Sequence, residues 1–556
     1  MTSESDILLS IRGLRVAYRT RDRVNEAVKG VDIEVRRGEV VALVGESGSG
    51  KSTIAHAVMG MLPATAAITA GEISFDGDAL TRLSEKDYRR LRGHRLGWVP
   101  QDPMVALNPS HRIGRQVAEP LLIHRLAGKA EAKAKAVEAL GRVGLNQPAL
   151  RAEQFPHELS GGMRQRALIA GALICDPALI IADEPTTALD VTVQKRILDD
   201  IGVLAASFGT AVLIITHDLA VAADRADRIV VLRHGEVVEA GSAREVLGHP
   251  RDDYTKLLLA SAPSLAAGRR RHAAAASGAP TTGEVLPLAA ARAPLVAVEG
   301  VSKDFTLGDA AGHRSTFRAV DGVSLAIAPG QTVGLVGESG SGKSTLARII
   351  LGLVAPTSGD VRFEGRPIGE LSRTEERQRR RRVQPIYQNP YSSLNPRLSI
   401  AEIVGEPLAG FRLGDRGWRH RRTLELLDQV GLPQSFAERL PAELSGGQRQ
   451  RVAIARALAP EPALVICDEP VSALDVSIQA QVLDLLAELQ RRHGLAYLFI
   501  SHDLAVVRQV SDSVGVMKDG RIVEFGSADQ IFQRPQHAYT RLLLDSIPGR
   551  SLAEAS

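Results

Sequence analysis

The chain carries one set of short sequences twice, in the same order. GESGSGKST occupies residues 45–53 and recurs at residues 337–345, an offset of 292 residues. LSGG begins at residue 159 and again at residue 444, an offset of 285, and the DEP sequence that follows keeps this second offset. The repeat predicts two copies of one domain, with the variation in length confined to the segment between the first two sequences.

The copies are separated by a segment of different composition. Residues 264–294 show no apolar periodicity and are rich in Ala, Gly and Pro, which predicts a flexible linker. At 556 residues the chain is also too long for one ordinary domain. We therefore expect two domains, residues 1–263 and 295–556, each ending in a tail beyond its last repeated sequence.

Short apolar segments lie next to the repeated sequences. VVALVG at residues 40–45 leads into the glycine-rich loop, and Lys51–Met61 has the pattern of a helix. LIIAD (179–183) and AVLIIT (211–216) are predicted to be buried strands, and TVGLVG, ALVICD and AYLFIS are their counterparts in the second copy. Strands that alternate with helices indicate an α/β fold with a largely parallel sheet.

Composition narrows the class of protein. The net charge of +4 is small for this length and gives no general preference for nucleic acid. Two isolated cysteines, Cys175 and Cys467, exclude a disulfide framework and fit a reducing cytosol. We see neither a signal peptide nor about 18 consecutive apolar residues, so we expect any membrane role to be peripheral. The basic run Arg377–Arg382 follows two glutamates and lacks interleaved aromatics, which favours a solvated helix face over an RNA site.

GESGSGKST fits the GxxxxGK[ST] pattern of a phosphate-binding loop. Backbone N–H groups of such a loop bind phosphate oxygens where side chains would obstruct them. Lys51 and Lys343 are predicted to reach the β- and γ-phosphates, and Ser52 and Ser344 to offer an oxygen to Mg²⁺. The residues assigned to ATP binding in these loops are Gly45, Ser47, Gly48, Gly50, Lys51, Ser52, Thr53, Gly337, Ser339, Gly340, Gly342, Lys343, Ser344 and Thr345.

Acidic pairs end the next buried strand in each copy. Asp183 and Asp468 occupy the position expected of the carboxylate that holds the Mg²⁺ shell. Glu184 and Glu469 follow them and are the natural general bases for an attacking water. After one more apolar strand come two histidines that are predicted to contact the γ-phosphate or to orient the base, His217 and His502.

The LSGG sequences separate this chain from other phosphate-loop ATPases. LSGGMRQR and LSGGQRQR resemble the signature of the ATP-binding-cassette family, and the order of elements matches that family over both halves. The resemblance implies a parallel sheet core, an antiparallel β part and a helical signature subdomain in each half. It also implies that the signature of one half closes over ATP held by the loop of the other half. The signature residues concerned are Ser160, Gly161, Gly162, Ser445, Gly446 and Gly447.

Other residues take their roles from the same resemblance. Gln101 and Gln388 resemble the glutamines that sense Mg²⁺ and pass force to a permease. The aspartates of TALD and SALD, Asp190 and Asp475, resemble those that cross the interface between cassettes. Tyr18 and Phe305 occupy the position where the family stacks an aromatic ring on adenine, although ordinary strand aromatics are the alternative. Met163 replaces the glutamine of the second signature, so we expect two hydrolytic sites with modest asymmetry.

The branch of the family follows from three stretches. QDPMVALNP, QNPYSSLNP and the tails at residues 249–263 and 534–548 resemble the ATPases of oligopeptide, dipeptide and nickel importers. The resemblance implies peptide or glutathione-like cargo, two multi-span permease subunits and an extracytoplasmic substrate-binding protein. It places the chain at the cytoplasmic face of the inner membrane. One chain already provides both cassettes, so we expect one chain per transporter. Some relatives bind an iron–sulfur centre through clustered cysteines, and two isolated cysteines predict none here.

Two other functions remain open from the residues. Twin cassettes without membrane domains act on ribosomes or DNA, but those on ribosomes usually join their halves by a long, charged helix. The Ala/Gly/Pro-rich segment and the importer-like tails favour transport. A cassette pair without hydrolysis is disfavoured because Glu184 and Glu469 are both present.

Overall fold

A computed structural model describes most of the chain. The described residues are 6–19, 24–185, 190–262, 293–308, 314–388, 393–472 and 474–549. Residues 264–292 of the predicted linker lie outside them.

The first half contains ten strands and eleven helices among the described residues. The strands are β1 (Ile7–Arg19), β2 (Val24–Arg36), β3 (Val40–Val44), β4 (Ala66–Phe75), β5 (Asp78–Ala79), β6 (Leu96–Val99), β7 (Leu179–Asp183), β8 (Ala211–Thr216), β9 (Arg228–Arg233) and β10 (Glu236–Ser242). The helices are α1 (Lys51–Val58), α2 (Glu85–Leu91), α3 (Pro103–Ala106), α4 (Ile113–Ile123), α5 (Lys129–Arg142), α6 (Pro148–Glu153), α7 (Gly161–Leu173), α8 (Val191–Phe208), α9 (Leu219–Arg225), α10 (Ala243–Gly248) and α11 (Asp253–Ser261).

The second half repeats the order of the ten strands and has nine α-helices among its described residues. Its strands are β11 (Val296–Gly308), β12 (Arg314–Ile327), β13 (Thr332–Val336), β14 (Ser358–Phe363), β15 (Arg366–Pro367), β16 (Val383–Ile386), β17 (Leu464–Asp468), β18 (Ala496–Ile500), β19 (Ser513–Lys518) and β20 (Arg521–Ser527). Its helices are α12 (Lys343–Ile350), α13 (Arg373–Arg382), α14 (Ile400–Gly410), α15 (Arg416–Gln429), α16 (Gly446–Leu458), α17 (Val476–His493), α18 (Leu504–Val510), α19 (Ala528–Gln533) and α20 (Ala538–Asp545).

Each half has one mixed and one antiparallel sheet. The six-stranded sheet of the first half has the order β10-β9-β3-β8-β7-β6, and only β10 runs antiparallel to its neighbour. The four-stranded sheet, β2-β1-β4-β5, is antiparallel throughout. The second half repeats both sheets as β16-β17-β18-β13-β19-β20 and β12-β11-β14-β15. The predicted α/β class and the antiparallel part implied by the family resemblance are therefore both present.

The helix after each glycine-rich loop lies between the two sheets. In α1, Ile54, Ala55 and Val58 are fully buried among residues of both sheets, which is the one-sided pattern of a packed helix. The helix begins at Lys51 as predicted but ends at Val58, three residues before the predicted end. It stops there because Gly60 adopts a positive φ of 61°.

In each half a helical region is inserted in the chain between one edge strand of the larger sheet, β6 or β16, and the neighbouring strand, β7 or β17. In the first half α4, α5 and α7 pack on one another, and in the second half α14, α15 and α16 do the same. The basic run in α13 is largely exposed, as predicted, except for Arg379. That side chain is 3% exposed because its guanidinium donates to the carbonyl oxygens of Ile350 and Leu351.

The halves touch each other through the helices that follow DEP and through the tails. Val191, the first residue of α8, packs in the hydrophobic cluster of the second half. The tail helix α11 packs against α17, and α20 packs against α8. Lys195 on α8 donates to the carbonyl oxygen of Asp545 at 2.7 Å. Among the described residues, no helix has both the length and the apolar character needed to cross a bilayer.

Candidate functional site

The glycine-rich loops sit at the carboxyl ends of β3 and β13, the central strands of the two large sheets. Gly50 and Gly342 have φ values of 103° and 102°, a region that disfavours any side chain. A Cβ atom on Gly50 would lie 2.6 Å from the carbonyl oxygen of Ala27, and one on Gly342 would lie 2.3 Å from that of Ala319. Only glycine lets each loop pass this close to the neighbouring backbone just before the helix starts, where backbone N–H groups can bind an anionic ligand.

The lysines of the loops are held inside them. Lys51 Nζ donates to the carbonyl oxygens of Gly45 and Glu46 at 2.6 and 2.8 Å. Lys343 Nζ makes the equivalent bonds in the second half, both at 2.8 Å. Burial lowers the pKa of each ammonium group, although nearby carboxylates oppose the shift. A phosphate group at the loop would add negative charge next to each buried ammonium group.

A serine and an aspartate meet beside each lysine. Ser52 Oγ donates to Asp183 Oδ1 at 3.1 Å, and Ser344 Oγ donates to Asp468 Oδ1 at 3.0 Å. Burial raises the pKa of both aspartates. A hydroxyl and a carboxylate side by side next to a phosphate-binding loop are oxygen donors of the kind that Mg²⁺ prefers. The residues present thus fit the metal that the sequence predicts.

Each predicted base lies between a glutamine and a histidine. In the first half Gln101 Nε2 donates to Glu184 Oε2 at 2.7 Å, and His217 Nδ1 lies 3.1 Å from Glu184 Oε1. In the second half Gln388 is 2.7 Å and His502 is 3.2 Å from the oxygens of Glu469.

The charge states of these groups depend on one another. Burial lowers the pKa of His217 and His502, but the paired glutamates outweigh it, and both values are raised. Burial likewise works against the charge of Glu469, yet hydrogen bonding and attraction to His502 lower its pKa overall. The pairing therefore favours an ionised carboxylate, the form that a general base requires.

The backbone at both bases is unusual. Glu184 and Glu469 have φ values of 46° and 49°, in the left-handed region that non-glycine residues seldom adopt. The N–H group of each donates to the end of the neighbouring strand, to Ile215 and Ile500 respectively, at 2.9 Å. These bonds hold each glutamate in a strained conformation next to its loop, as is common at functional sites.

The two signatures begin helices α7 and α16, and their serines are the capping residues. Ser160 Oγ accepts from the N–H of Met163, and Ser445 Oγ accepts from that of Gln448. In the second signature the side chain of Gln448 also accepts from the N–H of Ser445 at 3.0 Å, which completes a capping box. Met163 has no side-chain acceptor for this purpose, so the first signature has half of the motif.

The second glycine of each signature packs against the helix that follows the DEP sequence. A Cβ atom on Gly162 would lie 2.8 Å from Val193, and one on Gly447 would lie 2.4 Å from Ile478. Gly161 and Gly446 are the first residues of their helices. Each signature is thus fixed against α8 or α17 of its own half.

The start of α17 reaches the loop of the opposite half. Asp475 Oδ1 accepts from the N–H of Ser47 at 2.9 Å and from its hydroxyl at 2.8 Å. Asp190, at the corresponding place in the first half, instead accepts from the N–H of Val193 at 3.0 Å, and its Oδ1 lies 2.8 Å from Thr192 Oγ1. The two aspartates, equivalent by sequence, therefore have different partners.

A second pair of contacts joins the halves, and sequence reasoning missed it. Thr192 Oγ1 donates to Glu338 Oε1 at 2.7 Å, and Ser477 Oγ donates to Glu46 Oε1. Glu46 and Glu338 are the second residues of the two GESGSGKST loops. The loop pattern allows any residue at this position, so a glutamate there in both copies could have indicated that its side chain has a specific partner.

The predicted adenine-stacking residues lie in different surroundings. The hydroxyl of Tyr18 is 3.2 Å from Thr53 Oγ1, beside the first loop. The ring of Phe305 is 37% exposed and lies 5.3 Å from Lys303 Nζ. Gly48 and Gly340 turn within the loops at φ values of 81° and 84°. Gly45 and Gly337 begin the loops, Ser47 and Ser339 lie in the turn with Gly48 and Gly340, and Thr53 and Thr345 lie on the helices that follow.

Two protein-family descriptions match the chain, each of them twice. The ABC transporter family matches residues 28–187 and 320–472, which include both loops and both signatures. The C-terminal region of oligopeptide/dipeptide transporters matches residues 238–286 and 523–551. The dimeric ATP-binding cassette solved in a post-hydrolysis state with ADP and Pi matches 43% of this chain and 99% of its own, at 30% identity and a TM-score of 0.40.

Curated relatives match nearly the whole chain. The oligopeptide transport ATP-binding protein OppD of Mycobacterium tuberculosis is 42% identical over 97% of this chain and 98% of its own length. The glutathione import ATP-binding protein GsiA of Salmonella typhimurium is 43% identical over 98% and 90%. The peptidoglycan transport ATP-binding protein YejF of Agrobacterium fabrum is 44% identical over 97% and 96%. With its two complete sets of cassette motifs, the chain belongs to the ABC transporter family and is an ATPase of that family.

Proposed function

We propose that this chain is the motor of a peptide importer and that both of its ATP sites form between the two halves. The observation that carries the proposal is the contact of Asp475 and Ser477 with the first loop and of Thr192 with the second. These residues begin the helices on which the signatures are packed. A signature held in this way lies on the side of its half that faces the opposite loop.

The first ATP site is thus assigned to the loop of the first half and the signature of the second, with the reverse assignment for the second site. Site 1 comprises the loop at 45–53 with Glu184 and the opposite residues 445–447 and 475–477. Site 2 comprises the loop at 337–345 with Glu469 and the opposite residues 160–162 and 190–192.

We propose domain limits of 1–263 and 295–556.

The chemistry follows from what each group can hold. Loop N–H groups and Lys51 or Lys343 bind the phosphates of ATP, and the signature serine binds the γ-phosphate from the other side. Mg²⁺, held by Ser52 and Asp183 or by Ser344 and Asp468, would neutralise phosphate charge. Glu184 or Glu469 accepts a proton from the attacking water, and the glutamine and histidine beside each base orient it.

Closure and opening of the halves convert this chemistry into movement. ATP bound between a loop and the opposite signature draws the halves together, and its hydrolysis removes the ligand that both halves share. Gln101 and Gln388 lie where this change reaches the neighbouring helical regions. Movement there would be passed to permease subunits, and we propose that the chain binds them at the cytoplasmic face of the membrane.

The cargo is proposed from the tails and the relatives. The relatives named above are ATP-binding proteins of oligopeptide, glutathione and peptidoglycan transport, and all three cargoes contain peptides. We propose a peptide substrate, two permease subunits and an extracytoplasmic binding protein that selects the peptide. The substrate would not touch this chain, so its residues do not select it.

The proposal is tested by isolating the tagged full-length chain from its own membranes in a mild detergent and identifying its partners by mass spectrometry. We expect two multi-span proteins in equal amounts, with ATP hydrolysis that rises when the binding protein and a peptide are added. Recovery of ribosomal or DNA-repair proteins without a permease would overturn the proposal.

A further inference from the structure

The tail of each half places a tyrosine against its own phosphate-binding loop. Tyr254 on α11 accepts a hydrogen bond from the N–H of Glu46 at 3.1 Å, and Tyr539 on α20 accepts one from the N–H of Glu338, also at 3.1 Å. The tyrosines are 4% and 5% exposed, so their hydroxyl groups are held in place rather than free in solvent. A loop N–H that bonds to a tyrosine hydroxyl has a fixed direction.

Each tyrosine is in turn fixed by groups around it. The guanidinium of Arg233 lies 4.8 Å from the centre of the Tyr254 ring, and Lys518 Nζ lies 5.0 Å from that of Tyr539. Glu239 accepts from the N–H groups of Arg251 and Asp252 just before α11. The tail helix therefore cannot rotate without breaking several bonds.

Glu524 anchors the second tail in the same way. It accepts from the N–H groups of Gln536 and His537, at 2.7 and 3.1 Å, and from the hydroxyl of Thr540. The same arrangement in two tails of different sequence indicates that the contact with the loop is a built feature of both halves.

The loop glutamate joins the tail to the opposite half. Its N–H group bonds to the tyrosine, and its carboxylate accepts from Ser477 or Thr192 on the far side of the interface. In the first half the tail helix α11 also packs on α17, the helix that carries Ser477. The tail, the loop and the opposite helix thus form a closed set of contacts around Glu46.

We propose that Tyr254 and Tyr539 are positioning residues of the ATP sites. Each sets the direction of the loop glutamate so that its carboxylate meets the opposite helix only when the halves are joined. The tail would then act on the catalytic rate rather than on the first binding of ATP, because the bond from Ser477 or Thr192 to the loop glutamate forms only when the halves meet. This inference rests on the proposed formation of each ATP site between the halves.

The test compares Tyr254→Phe with the unchanged chain, using phosphate release for kcat and KM and a fluorescent ATP analogue for binding. Phenylalanine keeps the ring and removes only the acceptor oxygen. We expect kcat to fall about fivefold, KM and analogue affinity to change less than about twofold, and the melting temperature to remain within about 2 °C. A purely structural role would lower the melting temperature and would not separate kcat from KM.

A double-mutant cycle locates the effect. Tyr254→Phe and Ser477→Ala act on the same glutamate, so we expect the double variant to be no slower than the worse single variant. Tyr539→Phe with Ser477→Ala pairs residues of different glutamates, and here we expect the two losses to multiply. If Tyr254→Phe and Tyr539→Phe show the same coupling to Ser477→Ala, the proposal is overturned.

Glu46→Gln gives an independent measurement if the tyrosine variant folds poorly. It leaves the loop backbone and its N–H group intact, weakens the acceptor for Ser477 and removes one negative charge that acts on Lys51. We expect a lower kcat without a loss of analogue affinity, and an unchanged kcat would contradict the inference. If the unchanged chain itself hydrolyses no ATP, the proposed function fails instead, so the two failures are distinguishable.

Discussion

The bases of the two halves, Glu184 and Glu469, have nearly the same surroundings, whereas the aspartates that precede the next helices do not. Asp475 is bonded to the loop of the other half, and Asp190 to the start of its own helix. The signatures differ as well, because only the second has a complete capping box. The two halves thus have equal groups around their bases but unequal connections with each other.

The largest effect is expected where the sites are alike. Replacing both bases, Glu184→Gln with Glu469→Gln, should lower the rate of ATP hydrolysis by about 10²- to 10⁴-fold, the usual contribution of a general base. ATP should still bind, because glutamine retains the shape of the side chain. The measurement is phosphate release together with binding of labelled ATP. The two single variants should lose equal activity, and unequal losses would extend the asymmetry to the chemistry itself.

The aspartates should separate the sites. Asp475→Ala removes two hydrogen bonds between the halves, so we expect kcat to fall about tenfold with little change in the melting temperature. Asp190→Ala removes a helix cap worth about 1 kcal/mol, so we expect mainly a drop of about 2–4 °C in the melting temperature. Steady-state kinetics and thermal unfolding of both variants make the comparison. If the two variants behave alike, Asp190 also acts across the interface during turnover.

A smaller effect is expected when the residues that differ between the two signatures are exchanged. Met163→Gln should complete the first capping box and raise the free energy of unfolding by about 0.5 kcal/mol, and Gln448→Met should lower it by a similar amount. Urea unfolding of the two variants provides the measurement. If Met163→Gln stabilises the protein without changing kcat, the difference between the two signatures affects stability and not ATP hydrolysis.

The smallest effect is expected for the alkylation of the two cysteines, one in each half. Burial raises the pKa of Cys175 to about 11, and Cys467 is fully buried with its pKa also raised by burial. A thiol with this pKa has roughly 100-fold less thiolate near pH 8 than one at 9.0, so alkylation of Cys175 by iodoacetamide should be slow and should speed up with rising pH. Mass spectrometry should find no adduct at Cys467 in the folded chain, and Cys175→Ser is the control.

The sequence was most informative where one residue type alone can satisfy the geometry. Gly50 and Gly342 were identifiable because a Cβ atom there would meet the backbone. The strands at 179–183 and 211–216 were predicted with the bounds that the structure has, because they are apolar throughout and end at polar motif residues.

Contacts between distant segments were not predictable in the same way. The bond from Glu46 to Tyr254 joins residues 208 positions apart, and no local pattern specifies such a pairing. The different partners of Asp190 and Asp475 were also not predicted, because both aspartates lie in nearly identical sequences. Their difference arises from the packing of the two halves, which a repeated motif cannot express.

The contacts between the halves have a consequence for how the protein depends on its own concentration. A bond such as that from Ser47 to Asp475 would need two molecules to meet if the cassettes were separate chains. Here both partners belong to one polypeptide, so their encounter is intramolecular and has an effective concentration on the order of millimolar. A weak interface therefore suffices for pairing, and ATP hydrolysis per molecule should stay constant on dilution. Weak pairing in turn leaves the interface free to open after each turnover.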